Sequence, residues 1–348
     1  MPSDRWKFRD ASADWMADPI LGWKQKEMYQ ATNYDLGSEP VIFKTNVHGF
    51  RPNTVDPAMI DTSEFVVFLV GNSTVNGRSV PESQALHFYL DSLLTSAGLN
   101  TKVVNASVQG YSTDQSLLMI RAYAKYYKTD WIIYGFCDND LGGNELSKAY
   151  GLYKPRFEIK QSELLFNSPN LQNSDFSKFR EPSWKDLIVK SALFRLSRPL
   201  FISLSSRNMS KNDQILVGVR GADYYFDSDK IEVFNWALLE ALLIEMDRES
   251  YKMGAEFSFY CHPSLESVWT PYQNVIQKNE GRAVIPKVIE NKLQRIANKN
   301  GLNFIPMVDY FSRFEKRGPF HLLPRDTHCN GNGYLLQAEQ LYYFLTGN

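Results

Sequence analysis

Residues 65–70 are apolar without a break, and the run ends at Gly71-Asn72-Ser73. An uninterrupted apolar run of this length reads as a strand buried on both faces, as in a parallel sheet covered by helices on either side. The stop places the Ser73 hydroxyl on the loop past the strand's carboxyl end, the edge at which open α/β sheets bind ligands. Further strands are predicted over 101–105, 130–136, 256–261 and 303–308. Helical spacing is predicted over 83–94, 112–127, 230–252, 284–299 and 333–345. Strands alternating with helices argue for a parallel sheet of about five strands in a three-layer α/β/α fold.

Near the other end of the chain stands Asp326-Thr327-His328, followed by Cys329-Asn330-Gly331-Asn332-Gly333. A serine at one end and an Asp/His pair at the other are the parts of a nucleophilic triad. Two intermediate segments add to this pair. Asn105 to Gln115 contains Gly110, and Trp131 to Asp140 ends in Asp138-Asn139-Asp140. Each follows a short apolar strand and puts a small or amide-bearing residue on the loop beyond it.

In this order the segments resemble the blocks of the SGNH (GDSL-type) hydrolases. Ser73 stands in Gly-Asn-Ser where that family usually has Gly-Asp-Ser, so Asn72 replaces an aspartate. Gly110 matches the second-block glycine, Asn139 the third-block asparagine, and His328 the last block. Asn46-Val-His-Gly49-Phe50-Arg51 resembles a segment that often precedes the first block in bacterial members, and Asp18 to Trp23 resembles their lead-in. The likeness spans roughly 18–140 and 255–346. It implies a flavodoxin-like strand order, Ser73 as nucleophile, His328 as base and Asp326 as the residue that orients it. It also implies an oxyanion hole formed by Ser73, Gly110 and Asn139. The commoner family spacing is Asp-x-x-His; the shorter Asp-x-His found here also occurs, in relatives of the alginate acetyltransferases. Residues two apart do not share a helix face, so Asp326 and His328 are expected on the loop before the last helix.

The chemistry fits the residue types. A serine hydroxyl is a weak nucleophile until a base takes its proton. Backbone N–H groups and a neutral amide can meet the negative charge of a tetrahedral intermediate. The expected reaction is hydrolysis of an acyl ester, O-acetyl among the candidates, through an acyl-serine. Passing the acyl group to a carbohydrate or other alcohol is the alternative outcome, and a catalytically silent SGNH-like binding domain is the second. Asn72, Arg78, Asp138 and His262 are candidates for substrate contact. Arg51 and Arg78 could each meet an anionic group, with ion pairing as the plainer reading. His87 reads as structural.

Residues 1–62 read as an irregular, aromatic N-terminal extension packed on the core. Residues 63–348 read as the α/β domain, with an insertion at about 142–228 that directly follows the Asn139 loop and is placed to cap the site. Within it a basic amphipathic helix is predicted over 183–204, broken at Pro199. Packing on its own domain is favoured over contact with a membrane surface.

The net charge of −1 supplies no field to attract nucleic acid. Aromatic residues make up 14% of the chain, which suits a sugar platform and a lipid tunnel equally. The partner expected is therefore a small-molecule, carbohydrate or lipid ester. The three cysteines show no zinc-like spacing. The Asp138/Asp140 and Asp227/Asp229 pairs do not supply the oxygen set a hard cation needs. Neither metal nor cofactor is expected. No apolar signal core or spanning stretch stands in the chain, so a cytoplasmic location is expected.

Overall fold

The computed structural model describes residues 14–33, 41–52, 54–167, 171, 174, 223–322 and 327–347. The helix predicted over 183–204 lies outside these residues, and so does Asp326.

The apolar runs form one parallel sheet of five strands: β1 (Phe65–Gly71), β2 (Thr101–Asn105), β3 (Trp131–Phe136), β4 (Glu256–Cys261) and β5 (Asn303–Ile305). Their order across the sheet is β2-β1-β3-β4-β5, and every neighbouring pair is parallel. This is the flavodoxin-like order. The chain starts in β1, moves outward to β2, then returns to β3 on the other side of β1. The switch point, where such folds open a crevice, therefore lies between β1 and β3.

The uninterrupted run in β1 has a direct cause. Val66, Phe68 and Val70 enter one apolar cluster, and Val67 and Leu69 enter the other. Successive side chains of a strand point to opposite faces, so a strand covered on both faces must be apolar at every position. One face is covered by α2 (Thr113–Tyr123), α3 (Trp236–Lys252) and α4 (Val288–Asn300), through residues such as Leu117, Leu239 and Leu293. The other is covered by α1 (Leu86–Ser96) and α5 (Gly331–Thr346), through Leu90 and Leu336 among others. Phe68 is fully buried between Phe50 and Tyr127, with ring centroids 6.0 and 5.7 Å away. Truncating a phenylalanine so placed costs about 3–5 kcal/mol.

Two departures from the sequence reading have physical reasons. Among its described residues the N-terminal segment is not irregular throughout. It contains two antiparallel hairpins, Trp15–Asp18 with Gly22–Gln25, and Gln30–Asn33 with Val41–Lys44. The first turn is held by the Asp18 carboxylate, which accepts from the N–H groups of Ile20 and Leu21. Strands of four residues are too short to display a period, and Gly22–Gln25 is buried at every position. Strand β5 is shorter than predicted. Pro306 has no N–H to continue the ladder, and the N–H groups of Met307 and Val308 turn to Glu290 Oε2, at 2.8 and 3.0 Å.

The segment that resembles the pre-block motif docks this N-terminal region. Asn46 Oδ1 accepts from the N–H groups of His48 and Phe50, and its Nδ2 donates to Val55 O and Tyr127 Oη. Trp15, Leu21, Trp23 and Phe50 belong to the same apolar cluster as the α2 face of the sheet. After β3, two small hairpins follow, Lys148–Ala149 with Leu152–Tyr153 and Arg156–Lys160 with Glu163–Asn167. No helix among the described residues is long and apolar enough to cross a membrane.

Candidate active site

Ser73 opens a single helical turn, Ser73–Asn76, directly past β1. The exit is tight because Gly71 has φ +152° and sits beside Gly135 of β3. A Cβ on Gly71 would lie 2.7 Å from Val75 Cγ2 and 2.8 Å from Gly135 O, so no larger residue fits while Val75 folds back over the strand ends. Asn72 caps the turn, its Oδ1 accepting from Thr74 N at 2.9 Å.

His328 lies on the loop before α5, as predicted. Leu322 N donates to His328 O, and Asn330 caps α5 by accepting from Gly333 N. The His328 ring reaches back across the sheet edge, with Nε2 2.7 Å from Ser73 Oγ. The pairing joins residues from opposite ends of the chain, and the distance is a full hydrogen bond.

The other two block residues lie on the neighbouring loops. Gly110 follows β2 and has φ +78°. A Cβ there would meet the Tyr150 ring at 2.3 Å, so both the backbone angle and the packing require glycine. Neither the Ser73 nor the Gly110 backbone N–H donates to another described residue. Asn139 follows β3 and is exposed. Its Oδ1 accepts from Asn72 Nδ2 at 3.1 Å, which turns its own Nδ2 outward from that contact.

A buried polar frame joins these loops, and most of it was not read from the sequence. Asn72 Nδ2 also donates to Asp140 Oδ1 at 3.0 Å. Asp140 Oδ2 accepts from Tyr134 Oη at 2.6 Å and from Cys137 N at 3.2 Å. Burial pushes the Asp140 carboxyl up to about 7, against those three donors. On the other side, Asn76 Nδ2 donates to Ser107 O, and Asn76 Oδ1 accepts from Gln109 Nε2, both at 2.8 Å. Gln109 is held in turn by Gln25 and by the Trp23 indole N–H. The Ser73 turn is thus tied by Asn72 to the loop after β3 and by Asn76 to the loop after β2.

The remaining candidates fall elsewhere. Arg51 is buried rather than facing an anionic ligand. Its Nε donates to Glu82 Oε2 at 2.8 Å, and its Nη1 to the carbonyls of Asn76 and Gly77. It therefore braces the end of the Ser73 turn. Arg78 Nε donates to Asp14 Oδ2 at 2.6 Å, an ion pair that ties the same loop to the N-terminal hairpin. His87 is buried, contacting Glu82 and Asn105. Asn72 is buried and organises the loop. Asp138 is half-buried and accepts from the Cys137 thiol at 3.4 Å. His262 is buried beside His321. Tyr150, Asp140, Asn76 and Gln109 are among the residues framing the site that sequence reasoning missed. The only signal for Asp140 was its place beside Asn139.

No protein-family model matches the sequence, and no curated protein does. Among solved structures the chain is similar to the psychrotrophic esterase EstA from Pseudoalteromonas sp., inhibited by monoethylphosphonate, at 9% identity and TM-score 0.40 over 82% of this chain and 98% of that one. It is also similar to the acetyl xylan esterase AlAXEase, at 11% identity and TM-score 0.41 over 81% of this chain and 100% of that one. A GDSL-like lipase from Bacteroides thetaiotaomicron shows 10% identity and TM-score 0.39 over 84% and 94%. At these identities and scores the likeness carries no argument about the reaction, for which the residues around Ser73 have to speak.

Proposed function

We propose that the protein is a serine ester hydrolase of the SGNH type. The observation that carries this reading is the 2.7 Å contact between His328 Nε2 and Ser73 Oγ, supported by the Ser73 and Gly110 backbone N–H groups, which no other described residue accepts from. On this reading His328 takes the Ser73 proton as the hydroxyl attacks the acyl carbon. The oxyanion is met by the N–H groups of Ser73 and Gly110 and by Asn139 Nδ2. Collapse expels the alcohol, which takes its proton from His328. Water then attacks the acyl-serine by the same route. Asp326 is assigned the role of orienting His328 on the strength of the sequence blocks.

The finer reading is an O-acyl ester, such as an O-acetyl group on a carbohydrate, with the segment at about 142–228 as a cap that shapes the choice. Transfer of the acyl group to an alcohol in place of water uses the same residues. Adding acceptor alcohols and following transesterified product separates the two outcomes.

The test is intact-mass spectrometry after exposure to a fluorophosphonate and to p-nitrophenyl acetate, with wild type and Ser73→Ala side by side. A phosphonate adduct on the wild type alone, mapped to Ser73, is the expected result. Equal labelling of both proteins, or none on a folded wild type, overturns the assignment.

A further inference from the structure

Behind the catalytic pair lies a second cluster that the reaction does not use. His262 follows β4, and His321 and Cys329 sit on the two arms of the loop that carries His328. One ligand atom from each of the three lies within 4.8 Å of the others, and all three residues are buried. His262 is the informative member. It is 5% exposed, and among the described residues neither Nδ1 nor Nε2 has a hydrogen-bond partner. A neutral imidazole carries one donor and one acceptor, and burying both unused is costly. Native structures rarely leave such a group without a partner, whether protein, water or ion.

The neighbouring geometry matches what a metal ligand set requires. His321 Nε2 is 2.9 Å from Pro263 O. A carbonyl only accepts, so Nε2 carries the proton and Nδ1 the lone pair. A ring nitrogen donating to a backbone carbonyl while the other faces the ion is the usual arrangement for a metal-bound histidine. Gln337 Nε2 donates to Cys329 Sγ at 3.1 Å, a contact that suits a sulfur bearing negative charge. His321 and Cys329 face each other in an antiparallel bridge, which puts their side chains on one side of the paired arms. His328, one residue before Cys329, points to the opposite side, toward Ser73.

We propose that His262, His321 and Cys329 bind a zinc ion, which fastens the His328 loop to the carboxyl end of β4. Two imidazoles and a thiolate are a zinc-type donor set. Ligand atoms in a tetrahedral zinc site lie roughly 3.3–3.8 Å apart, so the trio closes by about an ångström on binding. Cys329 loses its thiol proton to solvent as the Zn–S bond forms, and no electron is transferred. Sequence spacing gave no warning of the site because its ligands come from two distant segments.

The test starts from tag-free full-length protein stripped with a chelator and then exposed to Zn2+ or Co2+. Elemental analysis after desalting should find about one zinc per chain. The Co2+ form should show a near-ultraviolet thiolate-to-cobalt band, which reports Cys329 without any substitution. Cys329→Ser and His262→Gln should lose the metal, while Ser73→Ala and His328→Ala keep it. A wild type that takes up no zinc, or a Co2+ form without the thiolate band, overturns the proposal. So does metal that survives in Cys329→Ser or leaves with His328. Because the readout is metal content, failure here leaves the hydrolase reading untouched, and the reverse also holds.

Discussion

Asn72 Nδ2 lies 3.1 Å from Asn139 Oδ1 and 3.0 Å from Asp140 Oδ1, so one amide group joins the loop after β1 to the loop after β3. These are the two strands that flank the switch point of the sheet. The amide does two things at once: it turns Asn139, and it gives a buried carboxyl one of its donors.

An aspartate at this position should therefore be harmful here. Asn72→Asp removes the donor and sets a second carboxyl against Asp140. Two buried carboxyls in contact cannot both ionise without cost. We expect Asn72→Asp to lower kcat by about tenfold or more, with the loss growing from pH 6 to pH 8. Steady-state kinetics across that range checks it. An unchanged kcat at pH 8 would show that the bridge does not govern Asn139.

Asn139 is exposed, and on the proposed reading its Nδ2 donates to the oxyanion. Removing a donor that acts only on the transition state lowers kcat and leaves substrate affinity in place. Asn139→Ala should reduce kcat by about 10²–10³ with KM nearly constant. Its stability should change by under about 1 kcal/mol. A raised KM with unchanged kcat would make Asn139 a binding residue.

How much of this was legible before the structure depends on the residue. The loop positions of Ser73, Gly110 and Asn139 past short apolar strands, and of His328 before the last helix, were legible from local pattern, whereas their assignment to one site came from the resemblance. The strand order followed from the resemblance, and the parallel sheet from alternation alone. Asn72 was readable as a loop residue but not as a bridge, because that role depends on the distance to a loop beyond β3. Asn76 and Gln109 meet across two loops whose approach no local pattern encodes. Arg51 looked like a surface cation, but Glu82 and two carbonyls account for its burial. The zinc trio was invisible for the same reason: it exists only after β4 and the His328 loop have come together.

Tyr150 holds the Gly110 loop from a short hairpin, at φ +55°. Its ring occupies the place a Gly110 side chain would need. Gly110→Ala should therefore carry two penalties, the left-handed backbone at about 1–2 kcal/mol and a clash of similar size. Tyr150→Ala removes the clash alone. In a double-mutant cycle by urea unfolding, Gly110→Ala should cost about 1–2 kcal/mol less in the Tyr150→Ala background. Additive costs would place the ring elsewhere in solution.

The buried carboxyls predict a pH dependence with a definite sign. Burial pushes both Asp140 and Glu266 up to about 7. In the unfolded chain such groups titrate near 4. A raised carboxyl favours folding fully below its unfolded value, and that contribution is lost as pH rises through the folded one. The buried histidines pull the other way, since burial lowers His262 and His87. The overall profile therefore mixes opposing signs, and a single substitution isolates one of them. Glu266→Gln keeps the shape and removes the titration. Relative to wild type, its stability should improve between pH 5.5 and pH 8.5 by on the order of 2 kcal/mol. Urea midpoints of the two proteins at both pH values measure this directly. A gap that stays constant would mean that Glu266 ionises in the folded protein as it does in water, and one that widens against the variant at high pH that the fold favours its charged form.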